Sequence, residues 1–247
     1  MKIIDIHGHL GKWCYPQAHV TAAEAVVRLR ELGIARLLVS SGKAILYDFR
    51  EGNRLLAGEI APHSELLGYI TLNLNYPKES EQDLDTYRDH PKFVGAKIHP
   101  LYARQKVSSP GGHYLARAVA ERGLPLLIHT YSAALESPWN VVPLAKANRG
   151  LTIIMAHLGG DMWWEGIAAA KEAPNLHADM SATWTDAEKV TTAVTELGAE
   201  RLLFGSDYTL FDASHALGML EDADLTPDQR ELVMHGNAER IFGARLS

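Results

Sequence analysis

"KIIDIHGHL", residues 2–10, decides how the rest of the chain is read. The apolar run "KIIDI" (2–6) reads as the first strand, and two histidines that flank one glycine follow it directly. Side chains two apart on a strand point to the same face, so His7 and His9 share a face and Asp5 shares it one layer deeper. Neutral imidazole is a common metal ligand, and a strand that ends in two of them can present both to one cation.

The same kind of run recurs along the chain. "ARLLVSS" (35–41), "LLGYITL" (66–72), "FVGAKI" (93–98), "LPLLIH" (124–129), "LTIIMAH" (151–157), "NLHADMS" (175–181) and "RLLFGSD" (201–207) read as further strands. Helix-like stretches lie between them. In "TAAEAVVRLRELG" (21–33), Thr21 is an N-cap, Glu24 completes a capping box and Gly33 is a stop. "GGHYLARAVAERG" (111–123) and "TDAEKVTTAVTELG" (185–198) read the same way. A last helix follows "LTPDQRELVMHGNAERIFG" (225–243), with Thr226 as cap and Pro227 in the first turn. Alternating strands and helices imply a parallel sheet, because parallel neighbours need crossover connections. Eight such units predict an α/β fold, a (β/α)8 TIM barrel with a C-terminal helix, as one domain over residues 1–247. A doubly wound open sheet is the alternative, weakened because no GxGxxG follows the first strand.

Composition narrows the function. The 247 residues are 47% hydrophobic and 22% charged, which is ordinary globular usage. The net charge of −6 argues against nucleic acid as a main partner. Cys14 is the one cysteine, so no internal disulfide or CxxC site can form. With no signal peptide, the expected location is cytoplasmic. The apolar runs are too short to span a bilayer, so no membrane partner is expected. A homodimer is the prior for a soluble enzyme.

Barrel active sites lie at the C-terminal ends of the strands. Strand 1 ends in His7 and His9, strand 4 in Lys97 and His99, strand 5 in His129, strand 6 in His157 and strand 8 in Asp207. Any one of these has a plain structural reading: a surface pair, a core histidine, a helix cap. Five polar strand ends at one mouth are harder to dismiss. His7, His9, His129 and Asp207 would bind one divalent metal ion and leave a position open for water or substrate. Zinc is the first expectation; manganese, iron and cobalt suit the same ligands.

In order along the chain, "DIHGHL", "FVGAKIHP", "LLIHT", "IMAHLGG", "LLFGSDY" and the tail "HGNAERIFG" resemble the amidohydrolase superfamily. The match is to its amidohydrolase-2 group of metal-dependent hydrolases and decarboxylases. The resemblance implies that His7, His9 and His129 bind the metal, with Asp207 as ligand and general base. It places His157 beside the metal, polarising a carbonyl or moving a proton. Lys97 is compatible with a carbamate bridging two ions, a substrate-binding ammonium or an internal ion pair. The single-metal branch lacks the carbamate, so one ion is expected, and a second only if Lys97 is carboxylated. TatD-like nucleases and PHP phosphatases fit less well, lacking a lysine at strand 4 and ending in Asp-x-His respectively.

The expected activity is metal-dependent hydrolysis of a small amide, ester or lactone. Asp207 would move the proton of an activated water and His157 would stabilise the oxyanion. The alternatives are non-oxidative decarboxylation of a small carboxylated, aromatic-like acid and a metal-binding barrel without turnover. Trp13, Lys97, His99, Arg104 and Tyr131 are the expected substrate-binding residues. Cys14, Tyr15, Tyr102 and Trp184 are further candidates for the pocket wall, whereas Trp163 and Trp164 read as helix-start packing. Asp179 and Ser181 either reach the site or cap a turn. Asp5 is expected to orient a ligand or pair with Lys97.

Overall fold

A computed structural model describes residues 2–131, 134–181 and 186–247. Trp184, a candidate for the pocket wall, lies outside them. Eight parallel strands follow one another in sequence order around a sheet. They are β1 (Ile4–Leu10), β2 (Arg36–Ser41), β3 (Leu66–Leu72), β4 (Phe93–Ile98), β5 (Leu126–His129), β6 (Ile153–Ala156), β7 (Leu176–Asp179) and β8 (Leu202–Leu203). Each is followed by helix, so the architecture is the predicted (β/α)8 barrel.

Two expected boundaries moved. β1 runs on to Leu10, so both histidines belong to the strand itself. β8 is much shorter than 201–207, because the chain beyond Leu203 turns its hydrogen bonds toward β1 and closes the barrel there. Ile6 N donates to Phe204 O at 3.0 Å, and Asp207 N donates to His7 O at 2.8 Å. Gly8 permits this closure. A Cβ at Gly8 would lie 2.6 Å from Tyr208 O and 2.8 Å from Leu37 Cδ1, both inside van der Waals contact.

The helix ends follow local chemistry. Thr21 caps Ala22–Glu31 through the predicted capping box with Glu24. Thr226 caps Pro227–Glu231 in the same way with Gln229. The predicted final helix is not uniform. A π turn at Leu232–Gly236 separates its first segment from Asn237–Phe242. The widened turn leaves Val233 O free to accept Phe204 N at 2.9 Å, tying the helix to the closing strand.

Two apolar layers hold the barrel. The larger lies between strands and helices. The smaller fills the barrel axis with Ile4, Leu38, Leu67, Tyr69, Val94, Leu127, Ile154 and Leu203, and ends on Ala238 and Phe242 of the last helix. Tyr69 donates to Ile6 O at 2.8 Å and meets the Phe242 ring edge-on at 6.2 Å. Asn237 donates to Ala199 O at 2.7 Å and to Leu202 O at 2.8 Å, at the start of β8. Arg240 donates to Glu200 O at 2.7 Å and to Asn237 Oδ1 at 3.2 Å. The "NAER" tail is therefore the plug of the N-terminal mouth. No described helix is long and apolar enough to cross a membrane.

Candidate active site

The opposite mouth gathers the polar strand ends. His7, His9 and Asp207 place ligand atoms within 4.8 Å of one another, all buried. His9 Nε2 lies 3.0 Å and His7 Nε2 3.5 Å from Asp207 Oδ1. Neither contact is a well-formed hydrogen bond, since Asp207 Oδ1 has no aligned donor; the other ring nitrogen of His9, Nδ1, is also buried without a partner. Buried polar atoms without partners are rare, because each loses its hydration and gains nothing in return. Imidazole and carboxylate lone pairs facing one another around a point are the donor set a divalent cation requires. The residues present therefore fit a cation at this position.

Asp179 and Ser181, at the end of β7, hold the imidazoles in place. Asp179 Oδ2 lies 2.9 Å from His7 Nδ1, and Asp179 Oδ1 accepts the backbone N–H groups of His157 and Ser181, each at 3.0 Å. Ser181 Oγ donates to Asp179 Oδ1 and stands 3.1 Å from His7 Nδ1 and 3.0 Å from His157 Nδ1. With the Ser181 proton directed to Asp179, both Nδ1 atoms must be the donors. Each ring then turns a bare Nε2 toward the mouth, as a metal-ligating or proton-accepting histidine needs. His157 Nε2 accepts from His129 Nδ1 at 3.1 Å.

His157 is also fixed through its backbone, at φ 63 in the left-handed region. The left-handed conformation continues through Leu158, Gly159 and Gly160. A Cβ at Gly160 would sit 2.3 Å from the Tyr131 ring, so the "HLGG" glycines let this wall approach the site. Lys189, buried on the helix Ala187–Leu197, donates to His157 O at 3.0 Å.

Burial dominates the electrostatics. It pushes His9 down to about 4 against the pull of Asp207, and it holds His99 and His157 well below the ordinary imidazole value. It lowers Lys97 to about 8, opposed by the carboxylates of Asp179 and Asp207. For Asp207 burial works upward, but the His9 contact and the nearby His7 and His157 outweigh it and keep the carboxyl ionised. Asp5 is raised to about 7 by burial, with Ser206 and the His7 backbone opposing.

The structure brings together most of what the strand ends suggested. Lys97 is fully buried, and its Nζ lies 3.0 Å from His7 Nε2. His99 stacks on His129 at 3.8 Å between ring centres, and Trp13 lies 4.9 Å from His9 and 5.8 Å from Tyr102. Tyr131 lies nearly parallel to His129 at 6.1 Å and donates to Asp161 at 3.0 Å. A cavity of about 400 Å³ opens beside this mouth, lined by Lys12, Trp13, Cys14, Tyr15 and His19 among others. Three placements differ from expectation. Arg104 is exposed and joins no described ion pair or hydrogen bond through its side chain. Asp5 braces Ser206 N at 3.1 Å and His7 N at 3.1 Å instead of pairing with Lys97. The ligand atoms of His129 group with those of His99 and Glu136 within 4.8 Å, and its Nδ1 lies 3.1 Å from His157 Nε2.

Glu136 and Lys189 were missed in the sequence. Glu136 follows strand 5 in a loop, where a lone acid among Ala, Leu and Ser looks like surface. Lys189 carried a signal: it stands four residues before Ala193, on the helix face that packs inward.

Comparison with known proteins agrees with the fold. The amidohydrolase family model matches residues 4–244, and the chain belongs to that family. No curated protein matches. Among solved structures, 2,6-dihydroxybenzoate decarboxylase from Rhizobium is similar at a TM-score of 0.80 and 17% identity, over 97% of this chain and 98% of that one. Dihydroxybenzoic acid decarboxylase from Polaromonas sp. JS666, with bound manganese and 2-nitroresorcinol, gives 0.80 and 17%, over 97% and 96%. A probable 2-pyrone-4,6-dicarboxylic acid hydrolase from Acinetobacter baumannii, with citric acid bound, gives 0.70 and 14%, over 98% and 100%. Identities this low establish a shared fold and no shared substrate.

Proposed function

We propose that this chain is a metal-dependent hydrolase of a small organic substrate, with its centre at the C-terminal mouth of the barrel. The observation that carries the reading is Asp207: a buried, ionised carboxylate whose Oδ1 faces two histidines without an aligned donor. His7, His9 and Asp207 would hold one divalent cation, with His129 in the same mouth one hydrogen bond beyond His157. The cation, when bound, supplies Lewis acidity and brings the pKa of water to ~7.

The chain's own residues supply the rest. Asp207, held ionised, is able to take a proton from water and return it to a leaving group. His157, fixed by Ser181, Asp179 and Lys189, turns Nε2 toward the mouth, and His129 Nδ1–H is poised to pass a proton along that edge. Lys97 offers an ammonium to an anionic substrate group at the cost of its contact with His7. Trp13, Tyr102 and Tyr131 line the approach with aromatic faces that suit a flat substrate. Zinc and manganese both suit histidine with carboxylate, and the bound manganese of the Polaromonas neighbour favours testing manganese first.

Decarboxylation of a small aromatic acid is the second reading. It is favoured by the neighbours from Rhizobium and Polaromonas, which are decarboxylases. One experiment separates the two. Purified chain loaded with manganese or zinc is incubated with lactones, amides and hydroxylated benzoates, with carbon dioxide and ring-opened acid measured together. Acid without carbon dioxide supports hydrolysis. Carbon dioxide from the benzoates overturns it in favour of decarboxylation, and no turnover across the panel counts against an enzyme.

A further inference from the structure

We propose that Lys189 is a positioning residue for His157. Its ammonium clips the backbone of His157 and Ser181 from one side while Asp179 clips it from the other, and this frame sets which nitrogen of His157 carries the proton. The proposal rests on the reading of His157 as the group that turns a bare Nε2 to the substrate, and it adds the residue that keeps it so.

The frame joins the loops after β6 and β7. Asp179 Oδ1 accepts the N–H groups of His157 and Ser181, each at 3.0 Å. The carbonyls of the same two residues turn to Lys189, whose Nζ donates to His157 O at 3.0 Å and to Ser181 O at 3.5 Å. One anion and one cation therefore bracket both residues. Within that bracket the Ser181 hydroxyl meets His157 Nδ1 at 3.0 Å and passes its own proton to Asp179. The acceptor that fixes the His157 tautomer is thus in place only while both backbones are.

His157 needs such a clip. Its φ is 63, and that of Leu158 is 50, so two buried residues other than glycine stand in succession in the left-handed region. That conformation is unfavourable for a side chain and persists only where its surroundings hold it. Without the Lys189 contact, relaxation of His157 toward negative φ would carry the ring away from Ser181.

Packing alone does not call for a lysine here. Lys189 is 2% exposed on the helix Ala187–Leu197, where a methionine would fill similar space without losing the hydration of a charge. What the ammonium adds is several hydrogens at one point and a positive charge toward Asp179. Burial brings the amine down to about 8, opposed first by Asp179 and then by Asp186 and Asp161, so it still carries its charge at neutral pH.

The tautomer of His157 tests the proposal without any substrate. Full-length chain labelled with ¹⁵N-histidine is placed in Zn²⁺ at neutral pH, and long-range ¹H–¹⁵N spectra are recorded for the wild type and Lys189→Met. His157 and His7 are assigned by single substitution. The wild type should carry the His157 proton on Nδ1. Lys189→Met should lose that pattern, with the proton moving to Nε2 as in a free neutral imidazole. His7, bonded directly to Asp179 at 2.9 Å, should keep its proton on Nδ1 in both. An unchanged His157 in Lys189→Met overturns the proposal and leaves the reading of His157 standing. Loss of the pattern at His7 and His157 together would mean that Lys189 supports the fold at large, and overturns it as well. A wild-type His157 with its proton on Nε2 overturns both readings. Should Lys189→Met fail to fold by circular dichroism, Lys189→Gln takes its place with the same expected outcomes.

Discussion

At the N-terminal mouth Asn237 places both amide hydrogens on the Ala199 and Leu202 carbonyls and takes Arg240 on its oxygen. At the C-terminal mouth Asp207 Oδ1, His9 Nδ1, His99 Nδ1 and Glu136 Oε1 are buried with no hydrogen-bond partner. The same eight strands run between these ends. One end satisfies its polar groups and is sealed by Phe242; the other holds a surplus of lone pairs facing one another. A mouth built for stability closes its own hydrogen bonds, whereas one built for chemistry keeps donor atoms for something that arrives from outside.

That contrast can be broken by substitution. The largest effect is expected for Asp207→Asn, which should lower turnover by at least ~10²–10⁴-fold, the range of a lost acid–base group. Its melting temperature without metal should hold or rise, because a buried charge with unpaired oxygen is removed. Turnover near the wild-type rate would remove Asp207 from the mechanism. At the other mouth Phe242→Ala should do the reverse. A vacated aromatic site costs about 3–5 kcal/mol of stability, while kcat of the folded protein should stay within about twofold. Loss of kcat with unchanged stability would place chemistry at the wrong end.

Chelation sharpens the comparison further. A cation present at about 100 times its Kd stabilises the native state by about 2.7 kcal/mol. Removing it should lower the melting temperature of wild type and Phe242→Ala alike, and the shift should shrink in Asp207→Asn. An equal shift in all three would mean that the metal binds elsewhere.

His177 is the exception at the sealed end. Burial lowers it to about 4, Arg201 and Arg240 add to this, and its Nδ1 is unpaired. The unfolded chain takes up a proton near the ordinary value of 6.5 and the folded chain only near 4. Stability is therefore whole above about pH 6.5 and declines as pH falls toward 4, by at most about 3 kcal/mol from this group. Urea titrations of His177→Gln across that window should show a flatter decline than wild type; parallel curves would exclude His177 as the source. The smallest effect is expected for Thr226→Ala. Loss of that cap should lower stability by about 1 kcal/mol and leave kcat unchanged.

How far the sequence could be read depended on the range of the interactions. Strand runs, the Thr21–Glu24 and Thr226–Gln229 capping boxes and the polar strand ends are local, and each was legible from residues a few positions apart. The parity of β1 predicted Asp5, His7 and His9 on one face, but a register shift between Asp5 and Gly8 breaks that alternation, with Ile4 and Ile6 in the axial layer, and parity could not give Asp5 its partner. That partner, Ser206, is 201 residues away. The π turn was invisible because it answers a hydrogen bond from Phe204, not a propensity of Leu232–Gly236. Glu136 looked like a solvent-facing charge, since burial in a loop depends on what packs over it.

The sequence alone determined the alternation of strand and helix and the chemical character of the strand ends, because backbone periodicity and capping act over one or two turns. Tertiary structure alone decided which nitrogen of each imidazole carries the proton. It also decided which carboxylate faces which ring, and which mouth is sealed. Those outcomes follow from contacts between residues far apart in the chain, made only when the barrel closes on Gly8.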